Sequence, residues 1–267
     1  MNYIDLTQAT DKDTTNYNEL SNQPQINGVT LTGNKTTSDL GIQDTRILPD
    51  GYTINVATDG SGDFTDIQDA LDSLENKICA GTVTIQLKAG DTFSISSVIT
   101  LPNNFNSNIL ELKSSSTTKV NIEANNLGYA IVIPVYFKAN LILSHLTIKA
   151  NNILADSKAV FSNSNSSLVY ITNTEVQKFA NAFYAQQIAN IKLESCTISD
   201  CTNGVSNQAG YIYINGLTAT NVTTLLDVFA GGYTIARGTI SKTNVTNLTG
   251  VTKNTVSDRG MILTNWN

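Results

Sequence analysis

The second half of the chain repeats itself, and that repeat limits the fold more than any other feature. Ile171, Leu193, Ile214 and Ile235 stand 22, 21 and 21 residues apart. Thr174, Cys196, Leu217 and Gly238 keep the same steps, as do Val176, Ile198, Ala219 and Ile240. Asn181 and Asn203 are 22 apart, each just before a small or apolar pair (Ala182-Phe183, Gly204-Val205). A fixed period of this size marks a solenoid. About 22 residues make one three-sided coil, which cannot bury its own inward side chains. Stacked coils bury a continuous apolar column, and asparagines at the turns ladder through their amides. The expectation is an all-β fold, a single-stranded parallel β-helix of about 22 residues per coil.

Strand patterns extend the stack upstream. Short apolar alternations occupy 83–87, 93–101, 109–112, 120–122, 131–135 and 141–148. The stretch 56–74, VATDGSGDFTDIQDALDSL, is different. It reads as a strand, a glycine-rich turn and an amphipathic helix. Phe64, Ile67, Ala70, Leu71 and Leu74 share one face of a 3.6-residue period. Thr65 and Gln68 have capping-box spacing. A helix over 65–76 is expected to cover the first coil, whose edges and apolar stack would otherwise be open. At the other end, 261–263 is the last strand signal before Trp266. Sister chains or a partner are expected to cover the final coil.

Composition agrees. Charged residues are 14% of the 267, against about 25% in an average domain. Asn, Ser and Thr carry the polar share, which suits turns and pleated surface. The net charge is −6, with no basic patch to follow a phosphate backbone, so no nucleic-acid partner is expected. No apolar run approaches the roughly 18 residues that span a bilayer, so no membrane insertion is expected. MNYIDLTQATDKD lacks the basic and apolar regions of a secretory signal, so synthesis in a cytoplasm is expected. Cys79, Cys196 and Cys201 are an odd, sparse count that makes no disulfide framework; Cys196 and Cys201, five apart with no His or further Cys nearby, read as small buried residues.

Residues 1–50 are polar and aperiodic, and need partner chains or a docking surface to order them. Pro24 favours extended backbone, and Asn27-Gly28 marks a tight hairpin turn before the short strand Val29-Thr30-Leu31. Ser38-Asp39 starts a turn ended by Gly41. YNELSNQPQINGVTLTGNKTTSDLGI resembles a segment recurrent in bacteriophage fibre proteins, of the form Y-N-x-L-x-N-x-P-x-I-N-G-V-x-L-x-G-N-K-T-x-x-D-L-G. The resemblance covers about 26 residues and implies a virion appendage and a homotrimer. Tyr17, Leu20, Pro24, Ile26, Asn27, Gly28, Val29 and Leu31 would then serve attachment and oligomerisation. The partners would be sister chains and a tail, baseplate or capsid protein.

VATDGSGDFTDIQDAL is similar to the start of pectin-lyase-like right-handed β-helices, including pectinesterases. This is a fold signal, because the chemistry of those enzymes lies on later coils. Residues 159–186 resemble the pectinesterase coil that ends in Gln-Asp-Thr-Leu. The acid of that motif falls near Asn181, and the nucleophile of the next coil near Asn203-Gly204-Val205. An amide is neither nucleophile nor general acid. Asp227-Val228-Phe229-Ala230-Gly231 echoes the nucleophile motif one coil late, with Arg237 one strand on.

The remaining chemistry is sparse. Glycoside cleavage needs two carboxyl groups within about 5–10 Å, and the acids after residue 150 are Asp156, Glu175, Glu194, Asp200, Asp227 and Asp258. Glu175 and Glu194 are the nearest to one period apart. His145, the only histidine, reads as an outward strand residue, and no Gly-x-Ser-x-Gly elbow accompanies it. Asp59, Asp63 and Asp66 are close in sequence but too few for a calcium loop. No cofactor, metal or catalytic residue is assigned. Tyr170, Tyr184, Tyr211, Tyr213 and Tyr233 recur on successive coils, either to hold sugar rings or to pack between coils or subunits. The function expected is a structural virion fibre, a trimeric adhesin for host-surface or cell-wall polysaccharide with 51–267 as its β-helix. A glycan-depolymerising or deacetylating tailspike and a head fibre on the capsid are the alternatives.

Overall fold

The computed structural model describes residues 23–36, 39–40, 46–163, 167–249, 256–257 and 260–264. They fall into two compact units that divide between residues 45 and 46. Tyr17, Leu20, Ser38, Gly41, Asp258 and Trp266 lie outside the described residues.

In the first unit, Gln25–Ile26 pairs antiparallel with Val29–Thr30. Asn27 (φ 49°) and Gly28 (φ 78°) make the turn. Both central residues take positive φ, as a type I′ hairpin requires, and Asn-Gly is the pair that tolerates it. Ile26 is exposed, while Val29 and Leu31 are half-buried. Thr36 and Asp39 bond reciprocally. The Thr36 amide donates to the Asp39 carboxylate at 2.9 Å, and the Asp39 amide to Thr36 Oγ1 at 3.2 Å.

The second unit is all-β, and almost all its strands pair in parallel. The pairing resolves into three ladders. Ladder A joins Tyr52–Val56, Ile78–Leu87, Asn106–Ser114, Asn140–Ser144 and Leu168–Thr172, then the first parts of Asn190–Ser199, Tyr211–Phe229 and Gly232–Thr249, and ends at Gly260–Thr264. Ladder B runs from Thr92–Ser94 through Val120–Glu123, Leu146–Lys149 and Glu175–Gln177 into residues 197–199 and 218–220. Ladder C runs from Ile99–Thr100 through Tyr129–Ile133, Lys158–Ser162, Asn181–Gln186 and Asn203–Gln208 into residues 224–229. The pattern is compatible with a β-helix.

Because the side-chain period of a strand is two, each ladder turns alternate residues inward. Val83, Leu110, Leu141, Val169, Ile191 and Ile212 stack in one inward column of ladder A, and Ile85, Leu112, Leu143, Ile171, Leu193 and Ile214 in the next. Each of these twelve side chains is 0% exposed. At about 25 cal/mol per Å² of apolar surface, these columns are the main source of stability. Ile122, Ile148, Val176, Ile198 and Ala219 supply ladder B, and Val160, Phe183, Val205 and Leu226 ladder C.

The ladders meet at corners made by left-handed residues. His145, Asn173, Ser195, Gly216 and Gly238 take φ between 49° and 88° where A passes to B. Lys178, Asp200, Asn221 and Asn244 do so where B passes to C, and Gln187, Ala209 and Ala230 where C returns to A. Only glycine, asparagine and aspartate adopt this conformation cheaply. Cross-corner bonds hold three of the others: the His145 amide donates to the Thr172 carbonyl at 3.3 Å, the Lys178 amide to the Ser199 carbonyl at 3.2 Å, and the Ala209 amide to the Phe229 carbonyl at 3.2 Å. His145 is therefore a half-buried corner residue that breaks the expected 141–148 strand in two. Asparagines ladder as expected. Asn203 donates to Asn181 at 3.0 Å, Asn221 to Asp200 at 2.7 Å, and Asn244 to Asn221 at 2.9 Å.

The register corrects the last step of the repeat. Ile214 pairs with Ala236, and Ile235 with Tyr213. Ala219 pairs with Lys242, and Ile240 with Leu217. Gln208 and Tyr211 are separated by two residues, while their partners Phe229 and Tyr233 are separated by three. A second extra residue enters at the Asn215/Leu217 irregularity. Corners absorb insertions, but each one-residue slip exchanges the inward and outward faces.

The helix is shorter than its sequence pattern, covering Ile67–Asp72. Its N-cap is Asp66, not Thr65: the Asp66 carboxylate accepts from the amides of Gln68 and Asp69, a charged acceptor outcompeting a hydroxyl. Ile67, Ala70, Leu71 and Leu74 are buried in the common core, and Phe64 packs against it half-buried. Gln68 is not part of a capping box. Its side chain accepts from the Thr100 amide at 2.8 Å and donates to the Thr100 carbonyl at 3.1 Å. The helix thereby closes the edge of ladder C at its first strand. No helix among the described residues is long and apolar enough to cross a membrane.

Candidate functional site

The outer face of ladder A carries two adjacent columns of side chains. The first is polar throughout: Asn55, Gln86, Lys113, Ser144, Thr172, Glu194, Asn215 and Arg237 pair in register, one per strand. The second passes through Thr84, Glu111, Ile142, Tyr170, Lys192, Tyr213 and Ile235. At the start of the same strands, Leu168, Asn190, Tyr211 and Tyr233 form a third.

These side chains bond across strands. Tyr170 donates its hydroxyl to Glu194, and Lys192 Nζ lies 3.2 Å from Glu194 Oε2 and 4.5 Å from the centre of the Tyr170 ring. The hydrogen bond from Tyr170 holds the Glu194 carboxyl below its ordinary range, helped by Lys192. The same bond raises the Tyr170 phenol. Tyr211 and Tyr233 stack with centroids 5.6 Å apart and planes 15° apart, and Tyr211 is 38% exposed. Toward the other end, Glu111 pairs with Lys113 and accepts from Thr84 at 3.1 Å. Flat rings beside amides, hydroxyls and compensated charges can hold a polyhydroxylated ligand by apolar contact and multiple hydrogen bonds.

Four of the five sequence-selected tyrosines, Tyr170, Tyr211, Tyr213 and Tyr233, thus share one face. Tyr184 does not. It sits on ladder C in an aromatic column that sequence reading missed. Tyr129, Phe161, Tyr184 and Phe229 follow one another at centroid distances of 5.4, 5.7 and 6.2 Å. Lys158 Nζ lies 5.1, 5.9 and 4.9 Å from the first three ring centres and 2.8 Å from Asp156 Oδ1. No single-sequence signal marks this cluster, because its members come from four separate strands. Burial raises the Tyr184 phenol, and the charges of Asp156 and Asp227 raise it further. The Tyr184 hydroxyl donates to Gln208 at 2.8 Å.

The acids considered for catalysis stand on different ladders or at corners. Glu175 is on ladder B, 3.2 Å from Lys119, while Glu194 is on ladder A. Asp227 lies on ladder C and Arg237 on ladder A, so neighbours in the repeat are not neighbours in register. Asp200 occupies a corner and accepts from Asn221. Asn181 accepts from Asn203 at 3.0 Å and from Ser206 Oγ at 2.8 Å. The early acids are engaged separately. Asp59 pairs with Lys88, Asp63 accepts from the Asn55 amide at 2.8 Å, and Asp66 caps the helix. Among the described residues no cluster of His, Cys, Asp or Glu is placed to hold a metal ion. The three cysteines are buried and unbridged. Burial pushes the Cys196 and Cys201 thiols up to about 11.

Searches of protein-family models, curated proteins and solved structures return no match to this chain.

Proposed function

We propose that the chain is a bacteriophage virion fibre protein, a homotrimeric adhesin whose ladder A face contacts host-surface or cell-wall polysaccharide. In this reading residues 1–50 attach the fibre to a tail, baseplate or capsid protein. Residues 51–267 form a right-handed parallel β-helix with about 22 residues in each of its later coils. The observation that carries the reading is the ladder A face itself, where Tyr170, Tyr211, Tyr213 and Tyr233 stand beside a polar column on a rigid stack. A stack of parallel strands is durable and presents the same kind of contact at each step of about 4.8 Å, as a polymer with repeating units requires. The fibre-like segment around Asn27-Gly28 supports the assignment to a virion. The reading takes the role as binding rather than cleavage, and is supported by the engagement of Glu194 with Tyr170 and Lys192 and of Glu175 with Lys119.

The test is retention of host cell-wall polysaccharide by the full chain. Binding that falls at least tenfold in Tyr211→Ala/Tyr233→Ala, with no new reducing ends, unsaturated products or released acetate, is the expected result. Product formation abolished by Asp227→Asn would replace adhesion with depolymerisation. Imaging virions labelled at the C-terminus distinguishes a tail fibre from a head fibre.

A further inference from the structure

The polar column of ladder A ends, on the helix side, in a cavity of about 220 Å³. Asn55, Ser61, Gly62, Gln86, Lys88 and Ser115 line it, over a floor made by Val56 and Ala57. Val56 is 1% exposed and Ala57 3%, so the floor is part of the packed core. The wall is the glycine-rich turn that leads to the helix. Its geometry is set by close backbone approach. The Asp63 amide donates to the Asn55 carbonyl at 2.7 Å, and a Cβ at Gly62 would lie 2.6 Å from that oxygen. Only glycine fits there, because a Cβ would overlap the Asn55 and Ala57 backbone, and the turn packs directly on the first strand.

The polar groups around this cavity are fixed by one another. Gln86 Nε2 donates to Asn55 Oδ1 at 3.3 Å, and the Ala89 amide donates to Ser115 Oγ at 3.0 Å. Lys88 pairs with Asp59, which also accepts from the Ser61 amide at 3.1 Å and from Ser61 Oγ at 2.7 Å. These bonds hold the Asp59 carboxyl far below the ordinary carboxylate range, Lys88 contributing most, so the pair stays ionised and mutually neutralised. The site therefore offers amides, hydroxyls and a compensated ion pair above a small apolar floor, and the nearby carboxylates of Asp63, bonded to the Asn55 amide, and Asp91, bonded to the Thr58 amide, disfavour an anion. Its volume is below the roughly 300–1,000 Å³ of pockets for drug-sized ligands, which suits a single ring.

We propose that this cavity binds one neutral hexopyranose unit and forms the terminal subsite of the ladder A face. The assignment rests on the glycan-facing reading of ladder A and adds where a chain end is held. Neutral sugar hydroxyls both donate and accept, matching the mixed donors and acceptors here. A uronate carboxylate would have to compete with Asp59 for Lys88.

The test follows backbone amide NMR shifts of the full chain during titration with methyl glucoside, methyl galactoside, methyl N-acetylglucosaminide and glucuronate. Saturable shifts centred on residues 55–62 and 86–88 with at least one neutral glycoside, weakened at least fivefold by Gln86→Ala and by Lys88→Ala at unchanged melting temperature, support the subsite. Absence of shifts with every neutral glycoside, shifts that persist in Gln86→Ala, or tighter binding of glucuronate overturn it. The Tyr211→Ala/Tyr233→Ala variant separates the two readings, since it abolishes polysaccharide retention and leaves the monosaccharide shifts intact. Retention without cavity shifts defeats the subsite alone. Cavity shifts without retention defeat the extended face.

Discussion

The side-chain amide of Gln68 pairs with both backbone polar groups of Thr100, accepting from its N–H at 2.8 Å and donating to its carbonyl at 3.1 Å. Ile99–Thr100 pairs with Tyr129–Ile133 on one side, and on the other a glutamine side chain takes the place of a strand. An unpaired parallel edge invites another chain, so this contact also protects the fold. Gln68→Ala is expected to cost about 1–3 kcal/mol, since two part-buried backbone groups lose their partners. Urea unfolding and amide exchange at Thr100 check it. A Thr100 amide equally protected in the variant would show that the bond is dispensable.

Two corner glycines separate strain from overlap. Gly238 has φ +72°, and a Cβ there would lie 2.7 Å from Asn215 Oδ1 and 2.9 Å from the Gly216 nitrogen. Gly231 has φ +82° with nothing within 4 Å. Gly231→Ala should cost only the left-handed backbone penalty, about 1–2 kcal/mol. Gly238→Ala should cost more, because the Gly216 backbone must also move. Equal unfolding midpoints for the two variants would contradict the overlap.

Lys158 has a side chain only 6% exposed, while that of its carboxylate partner Asp156 is 81% exposed. Such an exposed carboxylate gives little, so Asp156→Asn is expected to cost less than about 1 kcal/mol. Lys158→Ala empties the space between three rings and should cost about 2–4 kcal/mol. Lys158→Met, which refills that space without a charge, should fall within about 1 kcal/mol of the parent. Chemical denaturation of the three variants gives the order directly. A larger loss in Asp156→Asn than in Lys158→Ala would mean that the ion pair, not the rings, holds the lysine.

Cys196 and Cys201 give the stability an alkaline limit. Their folded values are raised by burial from 9.0 to about 11. A value raised on folding contributes stability that is complete below the unfolded value and lost as pH rises through the folded one. Stability should therefore decline between about pH 9 and about pH 11, and decline less steeply in Cys196→Ala/Cys201→Ala. At pH 8 a thiol reagent should modify neither cysteine until the chain is unfolded. Modification of the native protein at the rate of a free thiol would rule out the burial described.

Much of this arrangement was legible from residue order alone. Alternation located the inward columns because a strand exposes every second side chain to the core, and the 21–22-residue step linked Ile171 to Leu193 and Ile214 because those strands pair without insertion. Asn27-Gly28 specified its hairpin through backbone conformation, which needs no tertiary partner. The buried face of the helix was equally readable, through Ile67, Ala70, Leu71 and Leu74.

The tertiary structure decided what depends on which strands meet. It moved Ile235 to the outer face beside Tyr213 and put Ala236 inside, because a corner gained one residue where a fixed period allowed none. It separated Tyr184 from the other tyrosines and set it against Lys158, since those two are neighbours only once ladder C is stacked. It replaced Thr65 with Asp66 as the helix cap and turned Gln68 toward Thr100, 32 residues away. Sequence determined the strands, the core faces and the local turns, whose causes lie within a few residues. Register, corner insertions and side-chain clusters were decided by stacking, where one residue more or less exchanges the surface with the core.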